Sequence, residues 1–231
     1  MLRITPRRML AAISGCGALL APTCLTGCNI VGPAVVLLHG PEKTPRVHEL
    51  AKERKTVVFI DDRSSRAPSK AVRLRIGKKA DDVMLAEGVI AEGSLISSQS
   101  AIGVVSRERF GKPLSIAEIG ESLGAEIVVH VTMDAFGLSE DGQSLTPSAA
   151  MRVKVFDVSS RTRQFPGEEK DWLPVEVRPR FSQGDLPKTT GARSEAEARL
   201  ADEAGLAIAR LFFDHINDDD PGPSQPRGTG G

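Results

Sequence analysis

The sequence predicts an α/β (α+β) domain in three layers, in which helices cover a mixed β-sheet. Strand patterns and helix patterns alternate along residues 55–216. Residues 56–60 (TVVFI) form a continuous apolar run, which is typical of a strand buried on both faces. In residues 151–157 (MRVKVFD) apolar and basic residues alternate, which indicates a strand with one solvated face. Together these patterns favour helices packed on a sheet whose later strands pair antiparallel.

The elements after the first strand follow from hydrophobic spacing. Residues 69–92 carry apolar residues at helical intervals, so we predict a long helix there. Leu95 and Ile96 are candidates for a short strand, and residues 101–110 for a second helix.

A third helix has clear signals at both ends. Ser115 and Glu118 have the spacing of a capping box, and Gly124 is placed to end the helix in a left-handed cap. The following residues 127–133 (IVVHVTM) are strongly β-prone. We therefore predict a helix that leads directly into a central strand.

The last helix is predicted to begin at a second capping box, formed by Ser194 and Glu197. Its apolar residues recur at steps of three and four: Leu200, Ala204, Ile208, Leu211 and Phe212. This stripe should pack on the sheet. Residues 175–177 are predicted to add an edge strand.

The amino-acid composition argues against one class of partner, the nucleic acids. The chain has 231 residues with 30 basic and 30 acidic side chains, and only eight Phe, one Trp and no Tyr. No basic stripe is interleaved with aromatic residues, so we predict no nucleic-acid partner. The charged, proline-punctuated residues 40–54 indicate a linker or a short helix, and residues 217–231 are predicted to be disordered because they contain little to bury.

The N-terminal residues have the pattern of an export signal. Arg3, Arg7 and Arg8 form a basic segment, and residues 9–20 are uncharged over the length of a signal-peptide core. The tetrapeptide Leu25-Thr26-Gly27-Cys28 then resembles the lipobox of bacterial lipoproteins.

That resemblance implies signal cleavage between Gly27 and Cys28, and a diacylglycerol thioether on the Cys28 sulfur. The predicted organisation is therefore a lipoprotein signal peptide (1–27), a lipidated tether (28–54), the α/β domain (55–216) and a disordered tail (217–231). No cofactor is predicted beyond the covalent lipid on Cys28.

The implied location is the cell envelope, with the lipid in a membrane and the domain in the periplasm. Asn29 is not Asp, which by analogy with enterobacterial sorting favours the outer membrane. An uncut membrane anchor is the alternative, but Pro22 and Pro33 argue against one continuous helix. Residues 30–38 (IVGPAVVLL) fit either a segment at the membrane interface or a disordered tether.

Few residues in the sequence suggest a metal-binding, catalytic or partner-binding site. Asp61 and Asp62 follow a buried strand, where carboxylates suit a hard divalent cation, although solvated strand-end acids explain them better. Gly120-Glu121-Ser122-Leu123-Gly124 matches G-x-S-x-G, but the serine lies on a helix that precedes a strand, the reverse of a nucleophile elbow. Trp172 is a candidate anchor for a partner protein, with core packing as the alternative.

The order of elements across residues 56–213, behind a lipobox, resembles the periplasmic lipoprotein superfamily of the curli-secretion lipoprotein and the lipoprotein activators of penicillin-binding proteins. These domains share a fold with the N-terminal domain of the Tol-Pal periplasmic protein and with anticodon-binding domains. The most specific part is residues 123–129 (LGAEIVV). The loop at residues 134–150 is too short and polar for the barrel strands of the curli pore, so no channel is predicted.

The sequence therefore favours a non-catalytic envelope lipoprotein that acts on envelope proteins as an interaction or assembly factor. One alternative is an enzyme that uses a divalent metal at Asp61 and Asp62. Another is a ring-forming, secretion-related homo-oligomer without a barrel.

Overall fold

The central sheet is organised around two long adjacent strands. The computed structural model describes residues 43–108, 112–180 and 186–216. The strands are β1 (Lys43–Thr44), β2 (Thr56–Asp61), β3 (Leu95–Ile96), β4 (Ile127–Gly137), β5 (Ser148–Asp157), β6 (Thr162–Phe165), β7 (Leu173–Val177) and β8 (His215–Ile216). The α-helices are α1 (Lys70–Ala86), α2 (Ser98–Val105), α3 (Ile116–Leu123) and α4 (Thr190–Arg210).

The sheet is mixed, as predicted. Its strand order is β3-β2-β4-β5-β6, and β7 also pairs with β5. Strand β2 runs parallel to β3 and β4, whereas β5 runs antiparallel to β4, β6 and β7. Strand β2 is buried along its whole length, because helices cover it on both faces.

Helices α1 and α4 cover the first face of the sheet. Val58 and Ile60 of β2 and Val129 of β4 share one core with Ile76 of α1 and Leu200 of α4. The two helices approach closely at Gly205, where a Cβ atom would lie 2.5 Å from the carbonyl oxygen of Ile76.

Helices α2 and α3 cover part of the second face. Val57 and Phe59 of β2 and Val128 of β4 pack there with Ala101 of α2 and Ile119 of α3. Helices therefore lie on both sides of the sheet, and the predicted three-layer α/β domain is confirmed.

The signals at the ends of α3 are confirmed. The Ser115 side chain accepts a hydrogen bond from the Glu118 N–H, the Glu118 side chain accepts one from the Ser115 N–H, and Gly124 has φ 67°. The second predicted capping box is wrong, because α4 begins one turn earlier. The Thr189 side chain accepts from the Ala192 N–H, so Thr189 caps the helix and Ser194 lies inside it.

Helix α2 also begins earlier than predicted. The Ser97 hydroxyl accepts from the Gln99 N–H, which moves the start to Ser98, and the helix ends at Val105. Residues 109–111, where the predicted helix was to end, lie outside the described residues.

The described part of the predicted tether is packed on the domain. Residues Lys43–Thr44 pair antiparallel with His215–Ile216, and the Val47 and His48 N–H groups both donate to the Leu211 carbonyl. Leu50 is buried in the core. The domain therefore begins before residue 55, and residues 43–54 are neither a linker nor a helix. The segment was predicted as a linker or a short helix because its charged residues outnumber its few apolar residues, such as Val47 and Leu50.

Strand β6 was not predicted, since Thr162–Phe165 lacks an apolar run and is half exposed. No helix within the described ranges is long and apolar enough to cross a membrane. The predicted cleavage and lipidation site at Gly27 and Cys28, the remainder of the tether and the predicted tail lie outside the described residues.

Candidate functional site

The second face of the sheet carries an ordered set of aromatic and charged side chains beyond the helices that cover it. Strand register places Phe59 of β2 beside His130 of β4, and His130 directly opposite Lys154 of β5. In the next row of the same face, Thr132 lies opposite Arg152. These residues share one face because side chains two apart on a strand point the same way.

His130 is buried within this set. Its ring stacks on Phe59 with centroids 5.3 Å apart and contacts Trp172 at 5.3 Å. The Nε2 atom lies 2.9 Å from Asp61 Oδ2, whereas the Nδ1 atom is buried and has no hydrogen-bond partner in the described chain. These contacts assign the neutral tautomer in which Nε2–H donates to Asp61.

Burial and charge set the protonation of this pair. Burial lowers the pKa of His130 and outweighs the hydrogen bond and charge of Asp61, which raise it. Burial alone would raise the pKa of Asp61, but the hydrogen bond and charge of His130, with the N–H and charge of Arg63, bring it below its usual value. At neutral pH the pair is an aspartate anion and a neutral imidazole.

Arg63 connects this pair to the segment before α3. Its N–H donates to Asp61 Oδ1 at 3.2 Å, and its Nη1 donates to Asp61 Oδ2 at 3.1 Å. Its Nη2 donates to Glu108 Oε1 and, at 2.9 Å, to the Leu114 carbonyl. The permanent charge of Arg63 therefore compensates both acids.

Asp61 and Asp62, the predicted metal pair, have different hydrogen-bond partners. Asp62 Oδ1 accepts from the Arg66 N–H at 2.6 Å and Oδ2 from the Ala67 N–H at 3.1 Å, so it fixes the turn after β2. Asp61 instead accepts hydrogen bonds from His130 and Arg63, so the two carboxylates have separate partners although both line one small cavity at the end of β2. Within the described ranges, no group of three or more His, Cys, Asp or Glu residues could hold a metal ion.

Trp172 covers the basic part of this sheet face. The Lys154 Nζ lies 3.9 Å from its ring centroid and the Arg152 Cζ lies 5.2 Å away. Arg152 also makes two hydrogen bonds to Asp134, at 2.7 and 2.8 Å. Trp172 is partly buried and partly exposed, so it combines a packing role with a surface for contact. We call Phe59, His130, Arg152, Lys154 and Trp172 the Trp172 face.

Asp61 and Trp172, which the sequence indicates for different reasons, thus both contact His130. Asp61 contacts the Nε2 of His130, and Trp172 contacts its ring. No sequence motif marks His130, Arg63 or Lys154 as site residues. The alternation of apolar and basic residues in β5 placed Arg152 and Lys154 on one face, but only the strand register could show His130 opposite them.

A second concave region lies between α1, α2 and α4. It encloses about 660 Å³ and is lined in part by Asp81, Ser98 and Leu95. Asp81 Oδ2 accepts from the Ser98 N–H at 2.8 Å, which ties α1 to the first turn of α2, while Oδ1 has no hydrogen-bond partner in the described chain. Burial raises the pKa of Asp81 to about 6, against the lowering effect of Ser98.

The serine of the G-x-S-x-G motif lies on a helix, as predicted. Ser122 lies in the last turn of α3, and its hydroxyl donates to the Glu118 carbonyl at 2.7 Å. A nucleophile elbow requires a strand before the serine, and here a helix comes first.

No family model matches the sequence, and no curated protein matches it significantly. Several solved structures are similar at low identity. They include a PelC dodecamer from Paraburkholderia phytofirmans, with 13% identity and a TM-score of 0.37 over 74% of this chain and 96% of that chain. The hypothetical protein CT253 from Chlamydia trachomatis has 17% identity and a TM-score of 0.38 over 69% of this chain and 91% of that chain. Lipoprotein GNA1162 from Neisseria meningitidis has 8% identity and a TM-score of 0.36 over 63% of this chain and 93% of that chain. Similarity at this level does not assign a function to the chain.

Proposed function

We propose that this protein is a bacterial envelope lipoprotein, held to a membrane by diacylglycerol on Cys28, whose α/β domain binds another envelope protein and is not catalytic. The tetrapeptide Leu25-Thr26-Gly27-Cys28, behind a basic and then apolar stretch, supports the anchor. Two or three acyl chains give stable membrane attachment, where one chain binds only marginally.

The Trp172 face is the observation that carries the binding part of the proposal. Trp and Arg are the residue types that most often dominate the energy of protein interfaces. Here a partly exposed Trp172 lies beside Arg152, whose guanidinium is already oriented by Asp134. Side chains held in place before binding lose less conformational entropy when a partner docks.

The geometry of His130 favours binding over acid–base catalysis. A general base must reach the proton that it removes, directly or through one water. The only ring nitrogen of His130 without a hydrogen-bond partner in the described chain, Nδ1, is buried, and the ring contacts both Phe59 and Trp172. The Asp61–His130 pair then acts as a buried support for Trp172.

The anchor is tested by metabolic labelling with an alkyne analogue of palmitate. We expect label on the wild-type chain and on Cys24→Ala, a matched change of a leader cysteine, and none on Cys28→Ala. An unlabelled wild-type chain, or label that persists in Cys28→Ala, would contradict the anchor.

The contact is tested by a photo-crosslinking amino acid at Lys170, an exposed residue near Trp172, with the exposed Gln99 of α2 as the control position. In envelope membranes we expect a discrete crosslinked product from position 170, lost in Trp172→Ala, retained in Trp172→Phe and absent from position 99. A crosslinked product that is still formed in Trp172→Ala, or that forms equally at positions 170 and 99, would show that the partner does not bind at the Trp172 face.

A further inference from the structure

We propose that the concave region between α1, α2 and α4 binds a small aliphatic amine, whose ammonium group pairs with the Asp81 carboxylate. We call this region the Asp81 cavity. It encloses about 660 Å³, a volume that is typical of small-molecule sites. The Asp81 cavity shares no lining residue with the Trp172 face, so this proposal goes beyond the proposed contact with an envelope protein.

Asp81 gives the cavity a buried acceptor without a partner. The residue is only 6% exposed, yet it lies in the cavity lining. Its Oδ2 accepts from the Ser98 N–H at 2.8 Å, whereas the buried Oδ1 has no hydrogen-bond partner in the described chain. A buried carboxylate oxygen that lacks a donor is costly to the folded state. A ligand in the cavity that donates to Oδ1 would remove this cost.

The charges around the cavity favour a cation. Its two basic side chains already have acidic partners. Arg75 makes two hydrogen bonds to Asp202, at 2.8 and 2.7 Å. Lys78 Nζ lies 2.6 Å from Asp82 Oδ2. The remaining charged residues of the lining are all acidic, and none of them forms a salt bridge within the described part of the chain: Asp81, Glu92 and Glu197. The unpaired charge of the cavity is therefore negative.

The lining favours an organic cation over a metal ion. No group of three or more His, Cys, Asp or Glu residues in the described ranges could hold a metal ion. Partly buried aliphatic side chains lie in the lining with Asp81: Leu74, Leu85 and Leu95. A methylene chain can pack on such side chains while its ammonium group, which has three donors, meets a carboxylate. An aliphatic amine therefore matches both the apolar and the acidic parts of the cavity.

The protonation of Asp81 makes amine binding depend on pH. Burial raises the pKa of Asp81 to about 6 against the lowering effect of Ser98, and the charge of Asp82 raises it further. The other charged groups in the lining come from α1, the turn before β3 and α4: Arg75, Lys78, Glu92 and Glu197. An ammonium group pairs with the ionised carboxylate, and only about a tenth of Asp81 is ionised at pH 5. The apparent affinity for the amine should therefore fall about tenfold from pH 7.5 to pH 5.

The test uses the full chain, isotopically labelled for NMR and held in an uncharged detergent. The probe is hexamethylenediamine, and hexanediol is the neutral control of the same length. At pH 7.5 we expect the Ser98 N–H resonance, whose hydrogen bond ends on Asp81, to shift saturably with the diamine. Hexanediol should bind at least about tenfold more weakly, because it cannot form a charged hydrogen bond. The Ser115 N–H resonance, which lies outside the cavity, should not shift.

A substitution of Asp81 makes the test specific. Asp81→Asn removes the charge and nearly keeps the shape of the side chain, so it should weaken diamine binding at least about tenfold. Glu140→Gln removes an exposed carboxylate outside the cavity and should keep the wild-type affinity. Circular dichroism melting confirms that both variants fold. The comparison of pH 5 with pH 7.5 on the wild-type chain tests the same carboxylate without any substitution.

The outcomes decide the proposal without reference to the anchor or to Trp172. A Ser98 resonance that does not respond to millimolar hexamethylenediamine overturns it. An equal response to hexanediol would show a purely apolar site, which also overturns it. A diamine affinity that is unchanged in Asp81→Asn, or unchanged at pH 5, would mean that the amine binds away from Asp81. Failure of the crosslink near Trp172, or of lipid labelling at Cys28, leaves these results unaffected.

Discussion

Nε2 of His130 lies 2.9 Å from Oδ2 of Asp61, across a sequence separation of 69 residues. The pair is buried, and the imidazole is enclosed by Phe59 and Trp172. Because a neutral ring and a charged carboxylate share this site, we expect the stability of the site to depend on pH. The same contact makes Trp172, the only tryptophan in the chain, a reporter of His130 protonation.

We predict that acidification below about pH 6.5 destabilises the protein through His130. In the unfolded protein the His130 imidazole takes up a proton near pH 6.5. In the folded protein burial lowers the pKa of this imidazole. The unfolded state then binds more protons in this interval, so the free energy of unfolding decreases as the pH falls. Urea titrations between pH 5 and 7.5, followed by Trp172 fluorescence, measure the change.

The fluorescence of the folded state should itself titrate below pH 6.5, because a protonated ring quenches a neighbouring indole. His130→Gln should remove this transition, and His215→Gln should leave it in place. A transition that is unchanged in His130→Gln would show that another group controls Trp172.

Asp81 should have the opposite pH dependence. Burial raises its folded pKa to about 6 from 3.8, so the folded state holds the proton that the unfolded state has released. The free energy of unfolding should therefore decrease as the pH rises from about 4 to 6, by at most about 3 kcal/mol. We expect Asp81→Asn to remove this decrease and to match or exceed wild-type stability at pH 7.5.

Chemical denaturation of the two proteins at pH 4, 5, 6 and 7.5 measures this difference. Glu87→Gln, a change of an exposed carboxylate just after the end of the same helix, serves as the control and should keep the wild-type profile. If Asp81→Asn is strongly destabilised at pH 7.5, the charged carboxylate is favourable where it lies and the prediction is wrong.

Gly205→Ala should destabilise the contact between α1 and α4. The added methyl group would lie 2.5 Å from the Ile76 carbonyl oxygen and 3.1 Å from the Ala80 backbone nitrogen, so whole helices must separate to accommodate it. Overpacking of this kind costs about 1–3 kcal/mol. Gly103→Ala in α2 is the matched control, since no atom from another part of the described residues lies within 4 Å of its added Cβ, and it should stabilise by up to about 1 kcal/mol. Equal melting temperatures for the two variants would exclude a close helix contact at Gly205.

Asp157 should stabilise the end of β5 only while it is ionised. Its carboxylate accepts from Arg54 Nη1 at 2.7 Å and from the Ser160 N–H at 3.0 Å. The hydrogen bond from Arg54, followed by that from Ser160, lowers its pKa to about 2. This stability is present above about pH 3.8 and is lost as the pH falls through about 2.

We therefore expect Asp157→Asn to lower the free energy of unfolding by about 1–3 kcal/mol at pH 7, and the difference from wild type to shrink below pH 4. Guanidinium titrations at pH 7 and urea titrations at pH 2.5 measure it. Asp202→Asn removes the partner of Arg75 in a more exposed ion pair and should cost at most about 1 kcal/mol. A difference for Asp157→Asn that is constant with pH would mean that its charge is not involved.

Local signals predicted the element types and missed some of their ends. Ser115, Glu118 and Gly124 marked α3 correctly because a capping box and a left-handed glycine depend only on neighbouring residues. The same logic failed at Ser194, since Thr189 offered an equally good cap one turn earlier. The charges of residues 40–54 predict a linker or a short helix, and the β1–β8 pairing is missed because it joins segments that are far apart in the chain.

The sequence by itself determined the alternation of helices and strands and the mixed character of the sheet, because these depend on hydrophobic period, and a short motif at Cys28 predicts export. Only the tertiary structure decided that Asp61 and Trp172 meet at His130, and that residues 43–44 pair with the end of the described chain at residues 215–216. Strand order and register bring distant residues together, and neither is encoded within a short window of sequence.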